Sequence, residues 1–149
     1  MSGISRRDWL CLAIGPIVVG NLSSALALAD SGPGPAQDLA DQTSDEGGVI
    51  VKVRPVTLLP TAESWRFEVQ FSTHTVSLDQ DLLKIASLSV GDGQSQAPTV
   101  WDGDPPGGHH RQGILEFKPI VPLPVSLTLT IKEVGGIAAR SFTWNLSTP

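Results

Sequence analysis

Trp65-Arg66-Phe67-Glu68-Val69-Gln70-Phe71-Ser72 alternates four large apolar residues with four polar ones. Successive side chains of an extended chain point to opposite faces. The octet therefore reads as a strand with one face in a core and the other in water. The same period recurs on both sides of it. Val49, Val51 and Val53 share a face upstream. Downstream come residues 86–90, closed by the turn signal Gly91-Asp92-Gly93, then residues 98–101 and 113–117. Leu127, Leu129 and Ile131 alternate with Thr128, Thr130 and Lys132. After Gly135-Gly136, Phe142, Trp144 and Leu146 alternate with Ser141, Thr143 and Asn145. Only residues 79–85 suit a helical turn. Seven short strands spaced by about ten residues, with Gly- and Pro-rich turns, predict an all-β fold. The leading architecture is an antiparallel, immunoglobulin-like β-sandwich over residues 49–146, with a small barrel as the second. Trp65, Trp101 and Trp144 are expected in the core or at its rim.

The chain has 149 residues, 40% hydrophobic and 17% charged, with a net charge of -5. Moderate charge with this much apolar content argues against disorder throughout. The acidic balance argues against a nucleic-acid partner, which calls for a basic face. The single cysteine, Cys11, lies ahead of the apolar run. It is therefore not placed as a lipoprotein anchor, and it leaves with the leader described next. The fold is then held without disulfides.

Residues 1–29 read as a cleaved export signal. Arg6-Arg7 precede Trp9-Leu10, an apolar run follows to Gly20, and Ala27-Leu28-Ala29 offers a small-residue cleavage site. The arginine pair before a bulky apolar pair is similar to a twin-arginine signal; a Sec signal carrying Arg-Arg is the alternative. The run is too short, and too broken by Gly15 and Pro16, for a good membrane span. The mature chain is thus expected to be exported, periplasmic or extracellular, without an integral membrane anchor, with 8 basic against 14 acidic residues. Residues 30–48, rich in Pro, Gly, Asp, Gln and Ser, read as a disordered, protease-sensitive linker.

All three histidines fall in two polar segments. His74 follows the octet and precedes Asp79 and Asp81. His109 and His110 lie in Trp101-Asp102-Gly103-Asp104-Pro105-Pro106-Gly107-Gly108-His109-His110-Arg111. Polar residues held on loops of a rigid scaffold are where sites concentrate. The candidate patch is His74, Asp79, Asp81, Asp102, Asp104, His109, His110 and Arg111. Counting strand reversals puts both segments at one end of the sandwich.

Several readings of the patch stay open. Asp102 and Asp104 could cap loop amides, with Arg111 paired to one of them and the histidines solvated or packed on Trp101. A metal reading uses His74, His109 and Asp102 for Zn²⁺ or Cu²⁺, with His110, Asp79 or Asp104 as substitutes. Adjacent histidines in an extended chain point apart, so they do not readily share one ion. A catalytic His-Asp pair lacks any recognisable nucleophile beside it. The fourth reading is a surface recognising a protein or glycan.

Thr73-His74-Thr75-Val76-Ser77-Leu78 with Asp81-Leu82, and the Trp101 to Arg111 segment followed by Gly113, Leu115 and Phe117, together resemble motifs of a set of small exported prokaryotic proteins. The resemblance spans residues 49–146. It implies export and a single immunoglobulin-like domain, and transfers no activity. The expected function is a non-enzymatic accessory or binding domain of the cell envelope, without cofactor. Its partner is an envelope protein or a glycan. A Zn²⁺- or Cu²⁺-binding periplasmic protein is the alternative.

Overall fold

The computed structural model describes residues 39–91 and 93–146. The expected export signal, and the linker as far as residue 38, lie outside them.

Nine strands and one helical turn make up the described chain: β1 (Gln42–Glu46), β2 (Val49–Thr57), β3 (Trp65–Thr73), α1 (Leu82–Ile85), β4 (Ala86–Val90), β5 (Gln94–Gln96), β6 (Val100–Gly103), β7 (His110–Phe117), β8 (Ser126–Val134) and β9 (Ile137–Asn145). They form two antiparallel sheets in the orders β1-β2-β3-β7-β6 and β5-β4-β8-β9. The fold is an all-β sandwich. β3 lies at the centre of the larger sheet, as its alternation demands. Trp65, Phe67, Val69 and Phe71 are buried with Val49, Val51 and Val53 of β2. From the facing sheet come Leu88, Leu127, Leu129, Ile131, Phe142 and Trp144. Phe67 meets the Phe117 ring edge-on at 5.7 Å and lies 5.6 Å from Trp144, so the aromatic centre of the core spans both sheets. Each core or rim tryptophan donates its indole N–H to a main-chain carbonyl: Trp65 to Leu59, Trp101 to Asp104 and Trp144 to Ala40.

The linker expected over residues 30–48 is corrected at its C-terminal end. Gln42–Glu46 is strand β1, in register with β2 from Gln42↔Val53 to Glu46↔Val49. Its inward side chains are polar, so apolar periodicity is silent. Hydrogen bonding replaces burial there. The Gln42 side-chain amide donates to the Thr143 carbonyl and its oxygen accepts from the Thr143 N–H, which satisfies part of the outer edge of β9. Ser44 accepts from Arg140 through its Oγ at 2.9 Å.

Arg140 is the pin between the sheets at this corner. It is 2% exposed. Its guanidinium also donates to the carbonyls of Glu46 (2.6 Å), Val49 (3.1 Å) and Val134 (3.3 Å). The turn Gly47-Gly48 packs on the turn Gly135-Gly136 so closely that a Cβ on Gly47 would collide with the Gly135 carbonyl. Gly47 and Gly135 both have positive φ, which only glycine adopts freely.

These contacts define the two ends of the sandwich. One end carries the β1–β2 and β8–β9 turns, α1, and the loops before α1 and β7. The other carries the loops after β2, β4 and β7.

Candidate functional site

The two polar segments meet at the first end. They do so by direct pairing of β3 with β7, in which Ser72 stands opposite His110 and Phe71 opposite Arg111. Counting strand reversals predicts a shared end; the ladder puts the segments in register there, and it is prolonged by Thr73 N–H donating to the His109 carbonyl at 2.9 Å. Beyond the strands the segments exchange two further main-chain bonds. Gly107 N–H donates to Leu78 O at 2.9 Å, and Leu78 N–H donates to Gly108 O at 3.3 Å. Gly107 and Gly108 both have positive φ, which lets the loop double back on Leu78.

Arg111 locks this junction from inside. It follows the inward set of β7, whose other members are Gly113, Leu115 and Phe117, and it is 3% exposed. Its Nε donates to Asp104 O at 3.0 Å and its Nη1 to Gln80 O at 2.6 Å. The guanidinium stands over the Trp101 ring at 5.3 Å. Trp101 in turn covers the close Gly103–Gly113 pair, where a side chain on either glycine would strike the indole. Burial pulls the Arg111 pKa below its usual value, while Asp81 and Asp104 pull the other way. Arg111 therefore joins the two segments from below, and it is corrected as a member of the exposed patch. Its expected carboxylate partner is also corrected, because its hydrogen bonds go to carbonyl groups.

The aspartates divide by task. Asp81 caps α1: Oδ1 accepts from Leu83 N–H at 3.1 Å, and Oδ2 lies 3.1 Å from Lys84 Nζ. The Lys84 hydrogen bond is the first cause holding its carboxyl below the usual range, ahead of the Leu83 N–H. Asp104 Oδ2 accepts from Gln112 N–H at 2.9 Å, the amide capping expected of it. Asp79 and Asp102 are exposed and make no side-chain hydrogen bond among the described residues.

The imidazole beside His74 belongs to His110, with ring centroids 6.5 Å apart and the planes nearly perpendicular. Ser72 Oγ lies 3.1 Å from His110 Nδ1. His109 contributes its carbonyl to the ladder. Among the described residues no three His, Cys, Asp or Glu side chains converge on one point suited to an ion, so His74, His109 and Asp102 do not stand as a preformed ligand set.

His110 opens onto a groove that the patch touches only through Asp104, His110 and Arg111. The outward face of β1, β2, β3 and β7 carries a concavity of about 570 Å³ lined by Thr43, Ile50, Lys52, Gln70, Ser72, Asp104, His110 and Gln112, with Phe71 and Arg111 beneath. Lys52 is drawn aside by Asp41 at 2.7 Å. Gln70 donates to Glu68 at 3.0 Å. The Gln112 side chain makes no hydrogen bond among the described residues. The groove thus presents amides, hydroxyls and an imidazole around the exposed Ile50, with little net charge. The sequence signal was available, since Gln70, Ser72 and Gln112 are the polar half of the same alternation that marked the core.

No family model, no curated protein and no solved structure matches this chain.

Proposed function

We propose that this chain is an exported, non-enzymatic binding module of the cell envelope, and that its recognition site is the groove bounded by Gln70, Ser72, His110 and Gln112. The observation that carries the reading is the groove's chemistry. A concavity on a sheet face, floored by side-chain amides and hydroxyls, suits a neutral hydrogen-bonding ligand, and a few placed polar groups give such a site its orientation. Lys52 is occupied by Asp41 and Asp104 lies on the rim, so a phosphate gains little there. A glycan strand fits this lining best, with Ile50 as the apolar contact for a sugar face. The strand order supports an immunoglobulin-like reading of the sandwich. β2-β3-β7-β6 and β4-β8-β9 follow the four-plus-three arrangement of that fold, with β5 and β1 added at edges. Calorimetric titration with a panel of soluble envelope oligosaccharides tests the reading. Binding that drops at least tenfold in Gln112→Ala supports it, and no binding across the panel counts against it.

The His74–His110 pair favours a second reading, a divalent-metal protein. Zn–N bonds are about 2.0–2.1 Å, so modest side-chain rotation would let both rings reach one Zn²⁺ or Cu²⁺. Titration with each metal, repeated on His74→Ala, distinguishes this from the glycan reading.

A further inference from the structure

We propose that the groove selects sugars bearing an acetamido group, and that it reads this group with the side-chain amides of Gln70 and Gln112 and the apolar side chain of Ile50. The proposal rests on the glycan reading above and names the substituent which that reading leaves open.

Strand register assembles the three residues. On the outward face Thr43, Lys52, Gln70 and Gln112 form one row across β1, β2, β3 and β7, each directly opposite the next. Ile50, Ser72 and His110 form the neighbouring row, two residues further along each strand. Adjacent strands lie about 4.8 Å apart, and residues two places along a strand roughly 6.6 Å apart. Ile50, Gln70 and Gln112 therefore border a single patch, with Ser72 between them.

The two amides are set in opposite senses. Gln70 Nε2 donates to Glu68 Oε1 at 3.0 Å. A carboxylate only accepts, so Glu68 fixes which end of the Gln70 amide is which and leaves its Oε1 as an acceptor. Gln112 stands opposite. Its main-chain N–H is held by Asp104, while its side chain makes no hydrogen bond among the described residues and keeps its donors. A trans secondary amide presents its N–H and its C=O on opposite edges. It needs an acceptor on one side and a donor on the other, and this pair supplies both. Its methyl needs an apolar surface, and Ile50 lies in the groove lining 43% exposed.

Other substituents match less of this. A hydroxyl donates and accepts from one atom, so it does not span two amides, and it leaves Ile50 against water. A protonated amine offers no acceptor to Gln112 and meets Lys52, the neighbour of Gln70 in its row. A site built to pair a donor with an acceptor rejects analogues lacking them, because its own groups are left unmatched. Peptides carry amides too, but they bind sheets through rows of main-chain groups at an edge. Here the amide reader is one opposed side-chain pair beside a hydroxyl and an imidazole, which favours an isolated acetamido group.

Calorimetric titration of the full chain tests the proposal with tetrasaccharides of one linkage built from N-acetylglucosamine, from its de-N-acetylated form and from glucose. The N-acetylated tetramer should bind about tenfold more tightly than either of the others, or better. Ile50→Thr should weaken its binding with the unfolding midpoint unchanged. Gln112→Glu, which keeps the acceptors and removes the donors, should erase the preference for the acetylated form over the amine. Equal affinity for all three tetramers would overturn the proposal and leave the glycan reading standing. No binding by any of them would remove that reading and the proposal with it. A capped dipeptide that binds as tightly as the N-acetylated tetramer would mark a peptide as the occupant and overturn the proposal as well.

Discussion

The Arg111 guanidinium stands 5.3 Å over the Trp101 ring while donating to main-chain carbonyls of the two segments that build the groove end. A buried cation whose hydrogen bonds go to carbonyl oxygens is a structural pin. Truncating it strands those carbonyls away from water, at about 1–3 kcal/mol for each group left unsatisfied. Arg111→Ala should lower the unfolding free energy by about 3 kcal/mol in urea. Arg111→Lys should recover only part of that, because one ammonium cannot span both carbonyls and stack. A loss within about 0.5 kcal/mol, the range of ordinary surface changes, would show that the junction holds without it.

Gly47 is expected to be the least replaceable glycine of the paired turns. Its φ is +56 and an added methyl would strike the Gly135 carbonyl, which belongs to another turn's backbone and cannot rotate away. Gly47→Ala should cost more than Gly136→Ala, whose Cβ would meet open space though its φ is +73. Thermal unfolding should separate the two variants by about 1 kcal/mol or more. Equal melting temperatures would mean the turns shift apart freely.

Protease should respect β1. Limited digestion is expected to cut ahead of Gln42 and to spare residues 42–48, since that strand is paired with β2 and pinned by Arg140. Gln42→Ala should expose the Thr143 N–H, read as faster hydrogen exchange at that amide. Cleavage within residues 42–48 at the rate of the upstream chain would remove β1 from the folded unit.

Acid should weaken one surface cluster in a defined direction. The hydrogen bond from Gln70, then that from Arg54, holds the Glu68 carboxyl below its usual 4.5. A carboxylate with a lowered folded pKa contributes stability that is complete above the unfolded value and is lost as pH falls through the folded one. Glu68→Gln should therefore be less stable than the parent at pH 7, by at most about 0.2–1 kcal/mol given its exposure. The gap should close as pH falls through the lowered folded value, below 4.5. A gap that widens in acid would reverse the assignment.

What was legible in the sequence follows from which force holds each element. β2, β3, β8 and β9 are held by burial of every second residue, so alternation marks them. β1 and β5 are polar edge strands held by main-chain pairing and side-chain amides, and no apolar period reports them. The first residues of β7 read as loop because His110, Arg111 and Gln112 are all polar. Yet continuing Phe117, Leu115 and Gly113 back by two places puts Arg111 inward. The same step from Trp144 and Phe142 puts Arg140 inward. Both buried arginines were thus visible as polar residues in apolar registers. Their partners were not, because carbonyl groups leave no mark in sequence. The structure brings His74 beside His110 and the Asp104 carbonyl onto Arg111. The candidate patch groups Asp81, Asp104 and Arg111, which maintain the fold, with His74 and His110, which face outward.

Backbone amide shift mapping most directly tests the claim that the outer sheet face is the recognition site. ¹⁵N-labelled full chain would be titrated with soluble envelope oligosaccharides. The expected result is saturable movement of the Gln70, Ser72, His110 and Gln112 amides, with the 118–125 loop unmoved and the response abolished in Gln70→Ala/Gln112→Ala. Shifts confined to the 118–125 loop, or no saturable shift with any oligosaccharide, would contradict it.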